Sequence, residues 1–273
     1  MSTVLRRVSP PDWMTDIVGF SGENTQIKIF IALPCVSGYV SAHTMLSLSQ
    51  LCVEFVRQKV SFEMHPLLGC SIISHARNIL ASQFRRSDCT HIFWVDDDIS
   101  FRPEVFFRLF SVTCTEENEA HIACAVYPRK HLAPENLAQS VRDHARSAAR
   151  AARSVAESIL FRAMDYAIVP EKETSEGNLV FLPIVSAPIG CSVMTRSVFD
   201  QIAQAYPDLA DQKGQIDFFF DLPPASGIGE DVAFMTRARG AGIVPVVDLD
   251  SCVSHSGVFV YRGDLRAAFQ LIE

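Results

Sequence analysis

His91-Ile92-Phe93-Trp94-Val95-Asp96-Asp97-Asp98-Ile99 decides the fold. The first five residues form a continuous apolar run of strand length, as expected of a strand covered on both faces. The run stops abruptly at three carboxylates, which repel one another and are costly to crowd without a counter-cation. Strand alternation would put Asp96 and Asp98 on one side and Asp97 on the other. Oxygen ligands of this kind suit Mg²⁺ or Mn²⁺, above all when substrate phosphates complete the shell. The plainer alternative is a polar turn that caps the next helix.

Upstream, Lys28–Ala32 reads as a strand broken by Pro34 and Gly38. Met45, Leu48, Leu51, Cys52, Phe55 and Val56 then recur at helical spacing. Val60–His65 predicts a second strand and Ile72–Phe84 a second helix. Downstream, Arg102–Val112 is helical, with Pro103 in a first-turn position where a missing N–H costs nothing, and Ala120–Tyr127 is a fourth strand. This rhythm predicts an α/β fold with a central, mostly parallel sheet flanked by helices. Ligands bind such sheets beyond the carboxyl ends of the strands, so the loops after Ala32 and Val95 belong to one rim.

The second half is less regular. Pro134–Met164 reads as one Ala/Arg-rich helix with Arg142, Arg146, Arg150 and Arg153 on one face, either simply solvated or facing an anion. Leu179–Met194 suits two strands joined by a bend, Val198–Tyr206 a short helix, and Ile243–Val247 a last strand leading to His255. Residues 1–26 read as an arm laid on the surface. Without internal repeats or a Gly/Ser-rich linker, 27–273 reads as one domain.

The 273 residues include 24 basic and 31 acidic side chains, a net charge of −7, with 48% hydrophobic and 20% charged residues. That balance excludes bulk disorder and disfavours a nucleic-acid partner. The uncharged stretch Ile29–Val53 contains Pro34, Gly38, Gln50 and several serines, so no transmembrane segment is expected. No secretory signal is visible, and the eight cysteines lack any C-x-x-C pair, which fits reduced core thiols in a cytoplasmic protein.

Three further signals bear on chemistry. Ser74-His75-Ala76-Arg77-Asn78 opens a helix with an Arg fork suited to a diphosphate. Glu230 and Asp231 sit at a helix start, where the dipole favours their charged forms; the pair is either a cap or a general base. Ser254-His255-Ser256-Gly257 offers an imidazole that is either structural or a metal ligand.

Taken in order, these segments resemble the GT-A fold glycosyltransferases, in particular the small family-2-like nucleotide-diphospho-sugar transferases of bacteria and viruses. The resemblance runs from Lys28 to Asp264. It takes in the Pro34 loop, Ala76-Arg77-Asn78, the D-x-D triplet Asp96-Asp97-Asp98, Tyr127-Pro128-Arg129-Lys130, Gly190, Arg196-Ser197-Val198-Phe199, Gly229-Glu230-Asp231, His255-Ser256-Gly257 and Tyr261-Arg262-Gly263-Asp264.

The resemblance implies a single GT-A (Rossmann-like) domain with a nucleotide-binding half over about 27–130 and an acceptor half over about 131–273. It implies transfer of one sugar from a UDP- or GDP-type donor to a glycan or glycoconjugate hydroxyl, with inversion the outcome favoured by the Glu-Asp pair. Asp231 would be the catalytic carboxylate and Glu230 its neighbour holding acceptor or donor sugar. Asp98, His255 and Asp96 would hold Mn²⁺ or Mg²⁺, Asp96 also reaching the ribose. Arg77 would face the diphosphate and the Leu33-Pro34-Cys35 backbone would wall the base, with Asn78, Asp97 and Gly190 completing the nucleotide-sugar site.

Two departures stand out. Glu63-Met64-His65-Pro66 replaces the usual uracil-reading Asp, leaving the base open. No Gln-x-x-Arg-Trp follows Asp231, which speaks against a processive synthase. Two other functions fit parts of the pattern. A haloacid-dehalogenase-type phosphatase would use Asp96 as nucleophile with Lys172 or Lys213, and a non-catalytic nucleotide-sugar-binding protein would keep the fold without turnover.

Overall fold

The computed structural model describes residues 27–113, 121–145, 152–172, 179–210, 216–222, 227–257 and 260–268. The expected arm (1–26) lies outside them. The first half runs β1 (Lys28–Cys35), α1 (Ala42–Arg57), β2 (Ser61–Leu68), α2 (Ile73–Arg86), β3 (His91–Val95), β4 (Ile99–Ser100), α3 (Pro103–Thr113), β5 (Ile122–Cys124) and β6 (Pro128–Leu132). The second half runs α4 (Pro134–Ala145), α5 (Ala152–Ala163), β7 (Met164–Tyr166), β8 (Val169–Pro170), β9 (Phe181–Ser186), β10 (Cys191–Thr195), α6 (Arg196–Ala205), α7 (Glu230–Gly240), β11 (Val246–Asp248), β12 (Ser254–His255), β13 (Tyr261–Arg262) and α8 (Leu265–Ala268).

The main sheet has eight strands in the order β2-β1-β3-β10-β5-β11-β9-β8. β2, β1 and β3 are parallel, and so are β5 and β11; β10 and β9 run against their neighbours. Strand alternation divides the core in two. Phe30, Ile92 and Trp94 join Phe84, Phe199 and Phe234 from α2, α6 and α7 on one face. Ile29, Phe93 and Val95 join Leu51, Phe55, Phe106 and Phe110 from α1 and α3 on the other. A strand buried on both faces must be apolar throughout, which is why β3 matched its expected bounds.

Other bounds moved for local reasons. β1 continues through Pro34 and Cys35, both buried, because these residues lie beyond the four that pair with β3 and need only β2 as a partner. Pro34 is therefore no loop residue. On α1, Leu48, Leu51 and Phe55 are buried, whereas Met45 and Val56 face outward. The long Ala/Arg helix is two helices, α4 and α5, and Met164 already belongs to β7. Of its arginine stripe, Arg142 bonds Gln139, whereas Arg146 and Arg150 lie outside the described residues. Among the described residues seven cysteines are free thiols, four of them buried. No helix among the described residues is long and apolar enough to cross a membrane.

Two small sheets frame the rim. β4, which follows the acidic triplet directly, pairs with β12, and β12 with β13. β6 pairs with β7.

Candidate active site

The triplet is a turn. Ile99 N–H donates to Asp96 O at 3.1 Å, ending the strand geometry on which side-chain alternation depends. Three other segments grip its backbone: Asp96 N–H donates to Gly190 O (2.9 Å), while Asp97 O and Asp98 O accept from Ser41 N–H (2.8 Å) and Ser256 N–H (2.7 Å). The three carboxylates consequently fan out to three sets of partners.

Asp96 points into an inner cluster. Arg77 of α2, only 2% exposed at its side chain, lies with Nη2 3.2 Å from Asp96 Oδ1 and 3.6 Å from Asp231 Oδ1, and with Nε 3.4 Å from Glu230 Oε1. Its guanidinium also stacks over Trp94 at 5.6 Å. Burial alone would weaken the charge on Arg77, but Asp96, Asp231 and Glu230 more than offset it. One arginine faces three carboxylates. Burial pushes the Asp231 carboxyl up to about 7 despite Arg77, with Glu230 and Asp96 adding to the rise. Asp96 Oδ1, Asp231 Oδ1 and Arg77 Nη1 are all buried without a hydrogen-bond partner.

Gly190 is required here. A Cβ at that position would collide with the Asp96 carboxylate and with Tyr127 Oη. Tyr127 donates to Asp96 Oδ2 at 3.3 Å and sets its ring edge-on to His255, 5.0 Å between centroids, so it links the inner cluster to an outer one.

The outer cluster is centred on Asp98. His255 Nε2 lies 3.3 Å from Asp98 Oδ2, and Lys130 of β6 contacts the same oxygen. Burial would raise the Asp98 carboxyl, yet hydrogen bonds from His255 and Lys130 hold it below the ordinary carboxylate range. His255 Nδ1 is 2.9 Å from Pro128 O, an acceptor only, so Nδ1 carries a proton. In the neutral ring, Nε2 then presents a lone pair toward an anionic oxygen, an arrangement that a proton or a cation between them makes favourable. A metal-binding histidine typically anchors its other nitrogen in this way. The donor set of one carboxylate and one imidazole suits a divalent cation whose remaining ligands come from phosphate and water.

Several expectations need correction. Asp96 does not join Asp98 and His255 in a three-way ligand group. Among the described residues, the three-membered cluster of donor atoms within 4.8 Å is Glu63, Asp88 and Cys89. There Lys28 Nζ already sits 2.5 Å from both carboxylates, so that cluster is an ion-pair knot. Arg77 turns inward instead of offering its fork to a cleft, because three acidic neighbours claim it. Asn78 is fully buried and clamps the 217–222 segment, donating to Asp221 Oδ1 (2.7 Å) and accepting from Phe220 N–H (2.8 Å). It does not face the rim. Asp97 turns to the Cys35 thiol; burial, with Asp98 and Asp96 nearby, raises its carboxyl. Cys35 and Pro34 lie within β1, below the rim.

Tyr127 and Lys130 have no role that the sequence pattern reveals. An acidic triplet calls for a nearby cation, but no spacing rule indicates which of the 24 basic residues supplies it. For the phosphatase alternative, the lysine at the triplet is Lys130, on Asp98; Lys172 is tied to no acidic residue of the triplet, and Lys213 lies outside the described residues.

No protein-family model matches the chain, and no curated protein does. Among solved structures it is similar to the crystal structure of A197 from STIV, at 12% identity and a TM-score of 0.45, over 85% of this chain and 86% of that one. It is similar to S. aureus TarS 1–349 at 11% identity and 0.40, over 81% and 57% of the two chains. A third likeness is to GalNAc-T7 with UDP, GalNAc and Mn²⁺, at 9% identity and 0.43, over 91% and 48%. The chain thus spans about half the length of the latter two. With likenesses this remote, function has to be argued from the side chains of the cluster.

Proposed function

We propose that this protein is a metal-dependent glycosyltransferase moving one sugar from a nucleoside-diphosphate donor, of UDP or GDP type, to a hydroxyl of a glycan or glycoconjugate. The observation that carries this reading is Asp98 Oδ2 facing His255 Nε2 at 3.3 Å while His255 Nδ1 is committed to Pro128 O. Asp98 and His255 would hold Mn²⁺ or Mg²⁺, which supplies Lewis-acid stabilisation of the charge that develops on a departing diphosphate.

The chain's own groups do the rest. Lys130, sharing Asp98, adds a mobile positive charge on the diphosphate side. Asp231 is the general base: a carboxyl brought to about 7 is half-ionised at neutral pH and can take the acceptor's hydroxyl proton. Arg77 holds its orientation from 3.6 Å off the buried Oδ1, and the part-exposed remainder of the carboxylate faces that hydroxyl. A base acting directly on the acceptor favours inversion.

The test is titration of Mn²⁺ and nucleoside diphosphates into the native chain and Asp98→Ala, followed by calorimetry and by sugar release from a panel of donors. Mn²⁺-dependent diphosphate binding and donor turnover are expected in the native chain and absent in the variant. Equal Mn²⁺ binding by the two proteins would remove the metal assignment. Phosphate release from simple esters would replace the transferase by a phosphatase.

A further inference from the structure

A groove of about 580 Å³ lies between the first half of α1, the start of α3 and the 250–254 segment, and includes none of the residues of the inner and outer acidic clusters. Its size is that of a small-molecule site. Its charge is unusual for a chain of net −7. Of the acidic groups near it, Asp248 is gripped by Arg108 through two bonds of 2.7 and 2.6 Å. Asp250 is held by both Arg108 (3.2 Å) and Arg266 (2.5 Å). Those carboxylates are already neutralised. Arg102 and Arg262 also line the groove, both exposed, and neither forms an ion pair among the described residues. Arg262 Nε leans on Cys252 Sγ at 3.4 Å, which holds the guanidinium over the groove. His43 and Gln50 add further donors; the exposed carboxylates of the lining are Glu104 and the arginine-held Asp250, and Glu157 and Asp264 act on Arg262 from outside it.

The groove is also the back of the strands that carry the Asp98 pair. Ser254 stands opposite Ser100 on one side and Arg262 on the other, and all three line the groove. His255, one residue along β12, points to the opposite face.

We propose that this groove is a second binding site, taking a phosphate-class dianion carried on a sugar-sized body, with Arg102 and Arg262 as its paired anchors. Two guanidiniums with free donors match phosphate oxygens in the planar, forked way that a lysine does not. The remaining volume and the His43 and Gln50 donors accommodate hydroxyl groups. This site is independent of the transferase reading.

The experiment titrates inorganic phosphate and glucose 1-phosphate into the full chain, reading backbone amide shifts by NMR and affinity by calorimetry. Saturable binding is expected, with shifts at Ser100, Ser254 and Arg262 and with the ester binding at least about fivefold tighter than phosphate, a difference of about 1 kcal/mol. Arg102→Ala and Arg262→Ala should each weaken it about tenfold, and Asp98→Ala should leave it unchanged. Absent saturation, or affinity indifferent to both arginine variants, overturns the site. Loss of binding in Asp98→Ala would return the anion to the acidic triplet and overturn it equally. Matching affinities for the two probes would overturn the sugar-sized body.

Discussion

Arg77 and Lys130 are both cations set against the same acidic triplet, yet one side chain is 2% exposed and the other 40%. Arg77 is surrounded by Asp96, Glu230 and Asp231 and cannot leave without stranding them. Lys130 holds one oxygen of Asp98 from a flexible stem at the surface. The inner cation is a fixture of the fold. The outer one is exchangeable, which is what a site needs if a metal ion and a phosphate are to come and go.

The largest effect should come from the fixture. Arg77→Met leaves three part-buried carboxylates without their buried cation and should cost about 3–5 kcal/mol, the usual range for breaking a buried charge pair. Urea unfolding at pH 8 measures it. A loss of less than about 1 kcal/mol would mean the cluster is solvated, and the contrast between the two clusters would collapse.

Asp231→Asn sharpens the contrast through pH. A carboxyl raised from its ordinary 3.8 to about 7 favours the folded state fully below pH 3.8, and that advantage is lost as the pH rises through about 7. The variant, neutral throughout, should therefore melt higher than the native chain at pH 8 and match it near pH 4. If Asp231 is the proposed base, turnover of the native chain should rise with pH up to about 7, and the variant should lose about 10²–10⁴-fold while still binding donor. A pH-independent difference in melting would remove the burial of this charge from the account.

The smallest effect belongs to Lys130→Ala. Removing a half-exposed competitor from Asp98 should tighten Mn²⁺ binding by about two- to fivefold while weakening diphosphate binding. Unchanged Mn²⁺ affinity would make Lys130 a bystander.

Much of this architecture was legible in the residues. β3 could be read to the residue because its apolar run has one explanation, and the opening of a helix at Gly229-Glu230-Asp231 was legible too, though its first turn at Glu230 lies two residues before the expected Val232. Strand direction was less accessible. A strand buried on both faces looks the same whichever way it runs, so the reversal of β10 between β3 and β5 left no trace in its pattern. At the site, the meeting of Asp98 with His255 lay in the ordered motifs, whereas the inward turn of Arg77 and the clamp made by Asn78 depend on partners more than 140 residues away in sequence, such as Glu230 and Asp221. Arg77 beside Glu230 and Asn78 beside Asp221 have no local signature.

The position of β10 also bears on biosynthesis. Cys191–Thr195 fills the gap between two strands made some 70 residues or more earlier, and the turn just before it supplies the Gly190 carbonyl that Asp96 needs. A nascent chain released only as far as residue 130 would carry β3 and β5 as two bare, apolar edges, the kind of surface that recruits other strands. The ribosome must deliver most of the polypeptide before the central seam can close, so a truncated product ending there should aggregate instead of persisting as a smaller folded unit.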